Sequence, residues 1–261
     1  MYIDCGYGQI HVRVATPDAA THTPLICLHM SPKSGKLFEK FMTVASDDRM
    51  VIAPDYPGYG ESDKPPAEPP VRVQDYARTM WEVLDGLGID KVDIFGHHTG
   101  SKVAAEMAHQ RPDSVGSIVM VSALVLTKKE QDEFNATYQP VPLDEEGTRF
   151  KKMWDAIKFH RGPGMTLEMM AASLGESMRG GEAYEWGHHA AFTYNQFFPD
   201  VVKKLPHKIT VINPKDDLFK LTPRVMDLLQ NGTLIDKPEW GHGFMDAFSE
   251  DAATVVKNAL Y

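Results

Sequence analysis

The sequence predicts an α/β fold built on a mostly parallel sheet, and three observations carry that prediction. Short, uniformly apolar runs recur along the 261 residues. Runs with helical apolar spacing separate them. Turns rich in glycine or proline follow several of the apolar runs. Because parallel strands need crossover connections, this alternation implies a doubly wound sheet, whose ligands bind beyond the carboxyl ends of the strands.

Individual elements follow from the apolar spacing. Near the start, Ile10, Val12 and Val14 alternate with polar residues, which predicts an antiparallel hairpin with one face inward. The strands expected to be buried are mostly apolar and cover residues 25–28, 51–53, 92–95, 117–122 and 208–213, with a short last strand at 232–235. The helices expected between and after them cover residues 73–87, 101–109, 223–229 and 246–260.

The alternation of strands and helices lapses between residues 127 and 205. Three helices are predicted in this segment, at 149–159, 167–178 and 182–192, with glycine-rich breaks between them. We therefore predict a core made of residues 1–126 and 206–261, with residues 127–205 as a helical lid inserted between two core strands.

Composition narrows the function classes. The chain has 27 Lys and Arg against 36 Asp and Glu, a formal net charge of −9, which argues against nucleic acid or an anionic membrane as partner. Neither a signal peptide nor a membrane span is expected. The only two cysteines, Cys5 and Cys27, fall in predicted strands and are expected to be buried thiols in a reducing cytoplasm. The expected partner is a small-molecule substrate, and a homodimer is left open.

The segment from Gly96 to Gly100 joins an apolar strand to a helix. Glycines relieve crowding at such a corner, so that its central residue can take a strained backbone conformation. The segment resembles the nucleophile elbow, G-x-S-x-G, of the α/β-hydrolases, with His98 in place of serine. Thr99 is one residue late and Ser101 lies already in the helix, so neither is expected to replace the missing hydroxyl.

Four further motifs resemble this family in the right order, so the resemblance spans essentially the whole chain. Asp217, after the strand at 208–213, matches the family acid, and Asp216 competes with it because one residue of register separates them. His242, before the last helix, matches the family base. Residues 29–32 resemble the H-G-x-P turn, and residues 54–62 resemble P-D-x-x-G-x-G-x-S.

The resemblance implies a catalytic set of His98, His242 and Asp217, with an oxyanion hole made by the backbone N–H groups of Ser31 and Thr99. His98 is expected to project into the pocket within hydrogen-bonding reach of His242. Met30 stands where the family usually has glycine, which narrows the oxyanion pocket.

Residues that could contact a substrate lie in the oxyanion turn and the lid: His29, Met30, Trp186, His189 and Tyr194. His29 and His97 are also expected to brace the backbone of the site. Lys33 is a faint hint of an acidic substrate, and a solvated surface lysine explains it better. No metal or cofactor is expected, because the adjacent histidine pairs diverge and no H-x-x-x-H spacing occurs.

Three functions remain open from the residues alone. In the first, the protein hydrolyses an ester, lactone or related carbonyl compound, with His98 as an atypical nucleophile or a water-activating base. In the second, a lyase, decarboxylase or cofactor-independent oxygenase uses His242 and Asp217 for proton transfer. In the third, the pocket binds a ligand without catalysis. The retained acid, base and oxyanion turn favour catalysis over binding.

Overall fold

The computed structural model describes residues 1–261, and an eight-stranded sheet organises them. The strands are β1 (Tyr2–Cys5), β2 (Gly8–Ala15), β3 (Leu25–Leu28), β4 (Val51–Pro54), β5 (Val92–His97), β6 (Val115–Val121), β7 (Ile209–Pro214) and β8 (Gly232–Lys237). Their order across the sheet is β1-β2-β4-β3-β5-β6-β7-β8. The pairs β1–β2 and β2–β4 are antiparallel, and every other pair is parallel. The predicted fold class is confirmed.

Ten α-helices accompany the sheet. They are α1 (Glu39–Ala45), α2 (Val73–Gly86), α3 (Thr99–Gln110), α4 (Lys128–Thr137), α5 (Thr148–Phe159), α6 (Leu167–Arg179), α7 (Trp186–Tyr194), α8 (Phe198–Val202), α9 (Phe244–Ala247) and α10 (Ser249–Leu260). The run predicted as a helix at 223–229 is a 3₁₀ helix, Thr222–Leu228, and the predicted last helix is two helices that meet at Phe248.

Helices cover both faces of the sheet, which explains why its central strands are mostly apolar. In β3, Ile26 packs in the cluster formed with α2 and α3, whereas its neighbour Cys27 packs in the cluster formed with α1 and α10. Successive strand side chains point to opposite faces, so a strand covered on both sides is apolar at most of its positions. Cys5 and Cys27 are free thiols.

Helices α4 to α8 occupy the chain between β6 and β7, the segment predicted as a lid. Of these, α7 contacts α2, α3 and α4, and α8 contacts α3. The helix α4 was not predicted, because its residues are mostly charged or polar and none of them is fully buried. No helix of the chain combines the length and the apolar character needed to cross a membrane.

Candidate active site

Two glycines make the corner between β5 and α3 possible. A Cβ at Gly96 would lie 2.4 Å from the carbonyl oxygen of Gly100, and a Cβ at Gly100 would lie 2.0 Å from that of Leu28. Both distances are far below van der Waals contact, so no larger residue fits at either position. Between them, His98 has φ 50° and ψ −108°, one of only two non-glycine residues with positive φ. The strained corner predicted from the sequence is present.

The imidazole of His98 pairs with Asp216 and not with His242. The distance from His98 Nε2 to Asp216 Oδ2 is 2.9 Å. The rings of His98 and His242 lie 5.5 Å apart between centroids, and no hydrogen bond joins them. The expectation of direct contact between the two histidines was therefore wrong, because a carboxylate occupies the bonding position. We call His98 and Asp216 the inner pair.

Asp216 is held by two further donors. Ser122 Oγ donates to Asp216 Oδ2 at 2.5 Å, and the backbone N–H of Leu218 donates to Oδ1 at 2.9 Å. Ser122 follows β6 directly and has a φ of 55°, so it is the second strained non-glycine residue of the chain. Sequence reasoning missed Ser122. Its position at the carboxyl end of a strand next to β5 was the available signal.

A second pair lies nearer the surface. His242 Nε2 is 2.7 Å from Asp217 Oδ1, as expected if Asp217 orients His242. The loop that carries His242 is held by the segment after α5, where the N–H of Gly162 donates to the carbonyl oxygen of His242 at 3.2 Å. The ring of His160 lies 5.1 Å from that of His242. We call His242 and Asp217 the outer pair.

The carboxylates shift the proton equilibria of the site. Burial by itself lowers the pKa of His98, but the hydrogen bond and charge of Asp216 outweigh it, so the pKa of His98 is raised above its ordinary value. Burial by itself raises the pKa of Asp216 and Asp217, but their histidine partners lower both pKa values below the usual range. Both carboxyl groups are therefore ionised at neutral pH, and His98 is a stronger base than free imidazole.

The turn predicted to form the oxyanion hole, residues 29–32, directly follows β3, which pairs with β5, the strand that ends at the elbow. The N–H of Ser31 has no hydrogen-bond partner within the protein, so it remains available as a donor. His29 braces the turn: its Nδ1 bonds to the carbonyl oxygen of Met30 at 2.9 Å, and its Nε2 accepts from the N–H of Tyr56 at 3.0 Å. Burial lowers the pKa of His29 to about 4, which keeps it neutral.

A small cavity of about 40 Å³ adjoins His98. Its walls come from the elbow, the loops after β6 and β7, and helices α3, α4 and α7: His98, Thr99, Lys102, Ser122, Leu124, Phe134, Tyr138, His188, Ala191, Phe192, Asp217 and Leu218. Such a volume holds a few water molecules. A larger depression of about 420 Å³, formed by residues 161–168, is open to solvent and contains none of the four paired side chains.

A family model described as the alpha/beta hydrolase fold matches residues 23–214 of the sequence. The chain belongs to the α/β-hydrolase fold family.

Individual relatives of this α/β-hydrolase match only in part. An uncharacterized protein of Mycobacterium tuberculosis is 41% identical over 91 residues, which are 35% of this chain and 26% of that protein. Haloalkane dehalogenase 2 of the same organism is 28% identical over 119 residues, 46% of this chain and 40% of that protein. The chain thus spans between about a quarter and two fifths of the length of these relatives.

Solved structures resemble the α/β-hydrolase over its whole length. An esterase from Exiguobacterium antarcticum has a TM-score of 0.81 at 18% identity, covering 99% of this chain and 98% of that one. A meta-cleavage product hydrolase from Pseudomonas fluorescens has a TM-score of 0.79 at 17% identity, covering 99% and 96%. At such identities the likeness shows the fold.

In this α/β-hydrolase, the side chains predicted to contact a substrate do not line the cavity: His29, Met30, Trp186, His189 and Tyr194. Tyr194 is buried and donates from its hydroxyl to Glu106 at 2.5 Å. On α7 the cavity is lined by His188 in place of His189, because consecutive helical residues point about 100° apart. Phe134 of α4 and Tyr138, which follows this helix, supply aromatic walls that the sequence analysis did not predict.

The two pairs together also form a group of possible metal ligands. One donor atom from each of His98, Asp216, Asp217 and His242 lies within 4.8 Å of the others. Tetrahedral zinc holds its ligands about 3.3 Å apart, so the group would have to contract before it could close around a metal ion. The two histidine–aspartate hydrogen bonds account for the arrangement as it stands.

Proposed function

We propose that this protein hydrolyses an ester, a lactone or a related carbonyl compound, and that His98 is its reacting side chain. The observation that supports this most is the placement of His98: an imidazole in the elbow position, bonded to a buried carboxylate and lining a cavity. Membership of the α/β-hydrolase family supports the reaction class.

The bond to Asp216 assigns different roles to the two ring nitrogens of His98. If Nε2 carries the proton donated to Asp216, Nδ1 keeps a lone pair and can accept a proton. Water then attacks the carbonyl carbon of the substrate while one of its protons passes to Nδ1. The backbone N–H groups of Ser31 and Thr99 stabilise the resulting oxyanion. When the tetrahedral intermediate collapses, the alcohol departs with the proton returned from His98.

A covalent route uses the same atoms. Nδ1 attacks the carbonyl carbon, the alkoxide leaves as an alcohol with the proton that Nε2 releases, and water cleaves the acyl-imidazole to give the acid and restore the proton of His98. We favour direct water activation, because the raised pKa of His98 strengthens it as a base at the pH where carboxylates stay ionised. The outer pair, whose ring is 5.5 Å from His98, is then a second proton carrier for the leaving group.

A second candidate is proton-transfer chemistry without hydrolysis, as in a lyase, decarboxylase or cofactor-independent oxygenase. One observation favours it: the site has two histidine–aspartate pairs, while the elbow offers no hydroxyl or thiol nucleophile. Two positioned bases suffice to remove a proton from a carbon acid next to a carbonyl group.

The test is a panel of p-nitrophenyl esters, lactones and β-diketones. We expect an ester or lactone to be hydrolysed, and His98→Ala to lower kcat/KM by about a thousandfold or more. The matched control is His109→Ala, which alters an exposed histidine near the end of the same helix and should keep full activity. Conversion of a β-diketone without any ester or lactone hydrolysis would favour the second candidate.

Mass spectrometry of a rapidly quenched reaction separates the two hydrolytic routes. An acyl mass on the peptide that contains His98 identifies the covalent route, and its absence during turnover identifies direct water attack. Full activity of His98→Ala would overturn both routes and leave His242 as the proton carrier.

A further inference from the structure

A buried lysine stands one helical turn beyond His98. Lys102, on α3, is only 2% exposed. Its Nζ donates to the carbonyl oxygen of Ala191 at 2.9 Å, and Ala191 belongs to the last turn of α7, whose carbonyls lack partners within the helix. The Nζ also lies 5.2 Å from the centre of the Phe198 ring. Lys102 thus holds the end of α7 against the core.

No carboxylate neutralises this lysine. An ammonium group carries three N–H donors, and the oxygen of Ala191 is the only acceptor that the protein gives Lys102. Burial lowers the pKa of Lys102 to about 7, with no contribution from a neighbouring acid. Because an unpaired buried charge is costly, the position favours a neutral amine or a bound anion.

Lys33 is a partly buried lysine of the same protein whose ammonium group has a full set of hydrogen-bond partners. Its Nζ donates to the carbonyl oxygen and hydroxyl of Ser173, both at 2.7 Å, and to the hydroxyl of Ser177 at 2.6 Å. All three donors are used on α6, so Lys33 is neither the solvated surface lysine expected from the sequence nor free to bind a substrate. Lys102 therefore has N–H donors without a partner in the protein, whereas Lys33 has none.

We propose that Lys102 binds the carboxylate of an acidic substrate in the cavity next to His98. This inference rests on the proposed function and narrows it to small esters or lactones that also carry a carboxylate. Lys102 and His98 line the same cavity, so an ion pair at Lys102 would hold the reacting carbonyl beside the imidazole. Because the cavity of about 40 Å³ holds only a few water molecules, α4 or α7 would have to move to admit even a short acid, and a long acyl chain would require a larger movement.

The kinetic test compares two substrates that differ at one end. Monoethyl glutarate carries a free carboxylate, and ethyl pentanoate has a methyl group in its place. We expect the wild-type protein to prefer monoethyl glutarate. In Lys102→Met, which shortens the side chain by one atom and removes its charge, kcat/KM for monoethyl glutarate should fall about thirtyfold or more, with ethyl pentanoate changed a few-fold at most.

The matched control is Lys33→Met, which removes the ammonium group of a partly buried lysine. Because Lys33 donates its three hydrogen bonds to α6, this variant should lose stability without changing the ratio of kcat/KM for the two substrates. If Lys102→Met lowers kcat/KM equally for both substrates, Lys102 only holds α7 and the proposal is wrong.

A binding test works without catalysis. Thermal unfolding is followed with sodium glutarate and with neutral glutaramide at constant ionic strength. Glutarate alone should raise the Tm of the wild-type protein and of Lys33→Met by several degrees at concentrations far above its Kd, with no rise for Lys102→Met. An equal rise in Lys102→Met overturns the site. A rise that needs Lys102, in a protein that hydrolyses no ester, keeps the anion site and rejects the proposed hydrolase.

Discussion

The inner and outer pairs contain the same two residue types in different surroundings. In the inner pair the side chains of His98 and Asp216 are 13% and 1% exposed, whereas in the outer pair those of His242 and Asp217 are 20% and 25% exposed. Asp216 also accepts hydrogen bonds from Ser122 and from the backbone, but Asp217 accepts only from His242.

The difference in exposure and hydrogen bonding indicates that the two pairs divide proton transfer between them. Removal from water strengthens the interaction between a carboxylate and an imidazole, and several donors fix the carboxylate in one orientation. The inner pair is therefore suited to hold a proton at a defined atom beside the cavity. The outer pair, in contact with solvent, is suited to exchange protons with water. Four predictions test this division.

The largest effect should come from the two carboxylates. Asp216→Asn should lower kcat about a thousandfold, because an amide no longer stabilises the protonated imidazole or fixes its tautomer. Asp217→Asn should lower kcat only about tenfold, since its partner is partly solvated. Steady-state kinetics measure both, and unfolding curves show that the variants fold. A larger loss at Asp217 would assign the chemistry to the outer pair.

A smaller effect should come from the hydroxyl that orients Asp216. Ser122→Ala and Ser122→Gly both remove it and should each lower kcat about tenfold. The two variants differ in stability, because glycine accepts the φ of 55° and alanine does not. Glycine should be the more stable by about 1 kcal/mol in urea unfolding. Unchanged kcat in both variants would show that the hydroxyl does not support the inner pair.

The pH dependence should follow the inner pair. His98 must be neutral to accept a proton, and its pKa is raised, so kcat/KM should rise with pH through a value above about 6.5. Asp216→Asn removes the charge that raises this pKa. It should therefore move the rise of kcat/KM, the acid limb of the pH profile, to lower pH. In Asp217→Asn the limb should move less. A limb that follows Asp217 alone would identify His242 as the titrating base.

The smallest effect concerns stability in acid. The folded protein lowers the pKa of Asp217, so this carboxylate stabilises the fold above its ordinary pKa, and the contribution is lost as pH falls. The difference in the free energy of unfolding between the wild-type protein and Asp217→Asn should therefore shrink below about pH 4. Urea titrations at several pH values measure it. A difference independent of pH would mean that Asp217 contributes through packing.

Much of the fold could be predicted from the sequence because its rules are local. Strands buried on both faces are mostly apolar, and the glycines at 96 and 100 are required by contacts between the backbones of the elbow, α3 and β3. The helix α4 could not be predicted from its apolar spacing, because it is mostly charged or polar. Only Phe134 within the helix and Tyr138 just after it line the cavity.

The site was harder to predict because it depends on contacts between distant segments. One residue of register separated Asp216 from Asp217, and the sequence analysis had to choose between them. In the structure each carboxylate binds its own histidine. Lys102 carried no signal in the sequence, because its burial depends on α7 and α8, which pack on α3 from more than eighty residues further along the chain.

The two glycines of the elbow also separate backbone shape from side-chain chemistry. Gly96 and Gly100 meet the steric demand of the corner, while the side chain of residue 98 points towards a cavity. A saturation library at position 98 would therefore exchange the side chain that faces this cavity on a nearly constant backbone. In such a library, hydroxyl, thiol, carboxylate and imidazole side chains can be compared at the same position of the same protein.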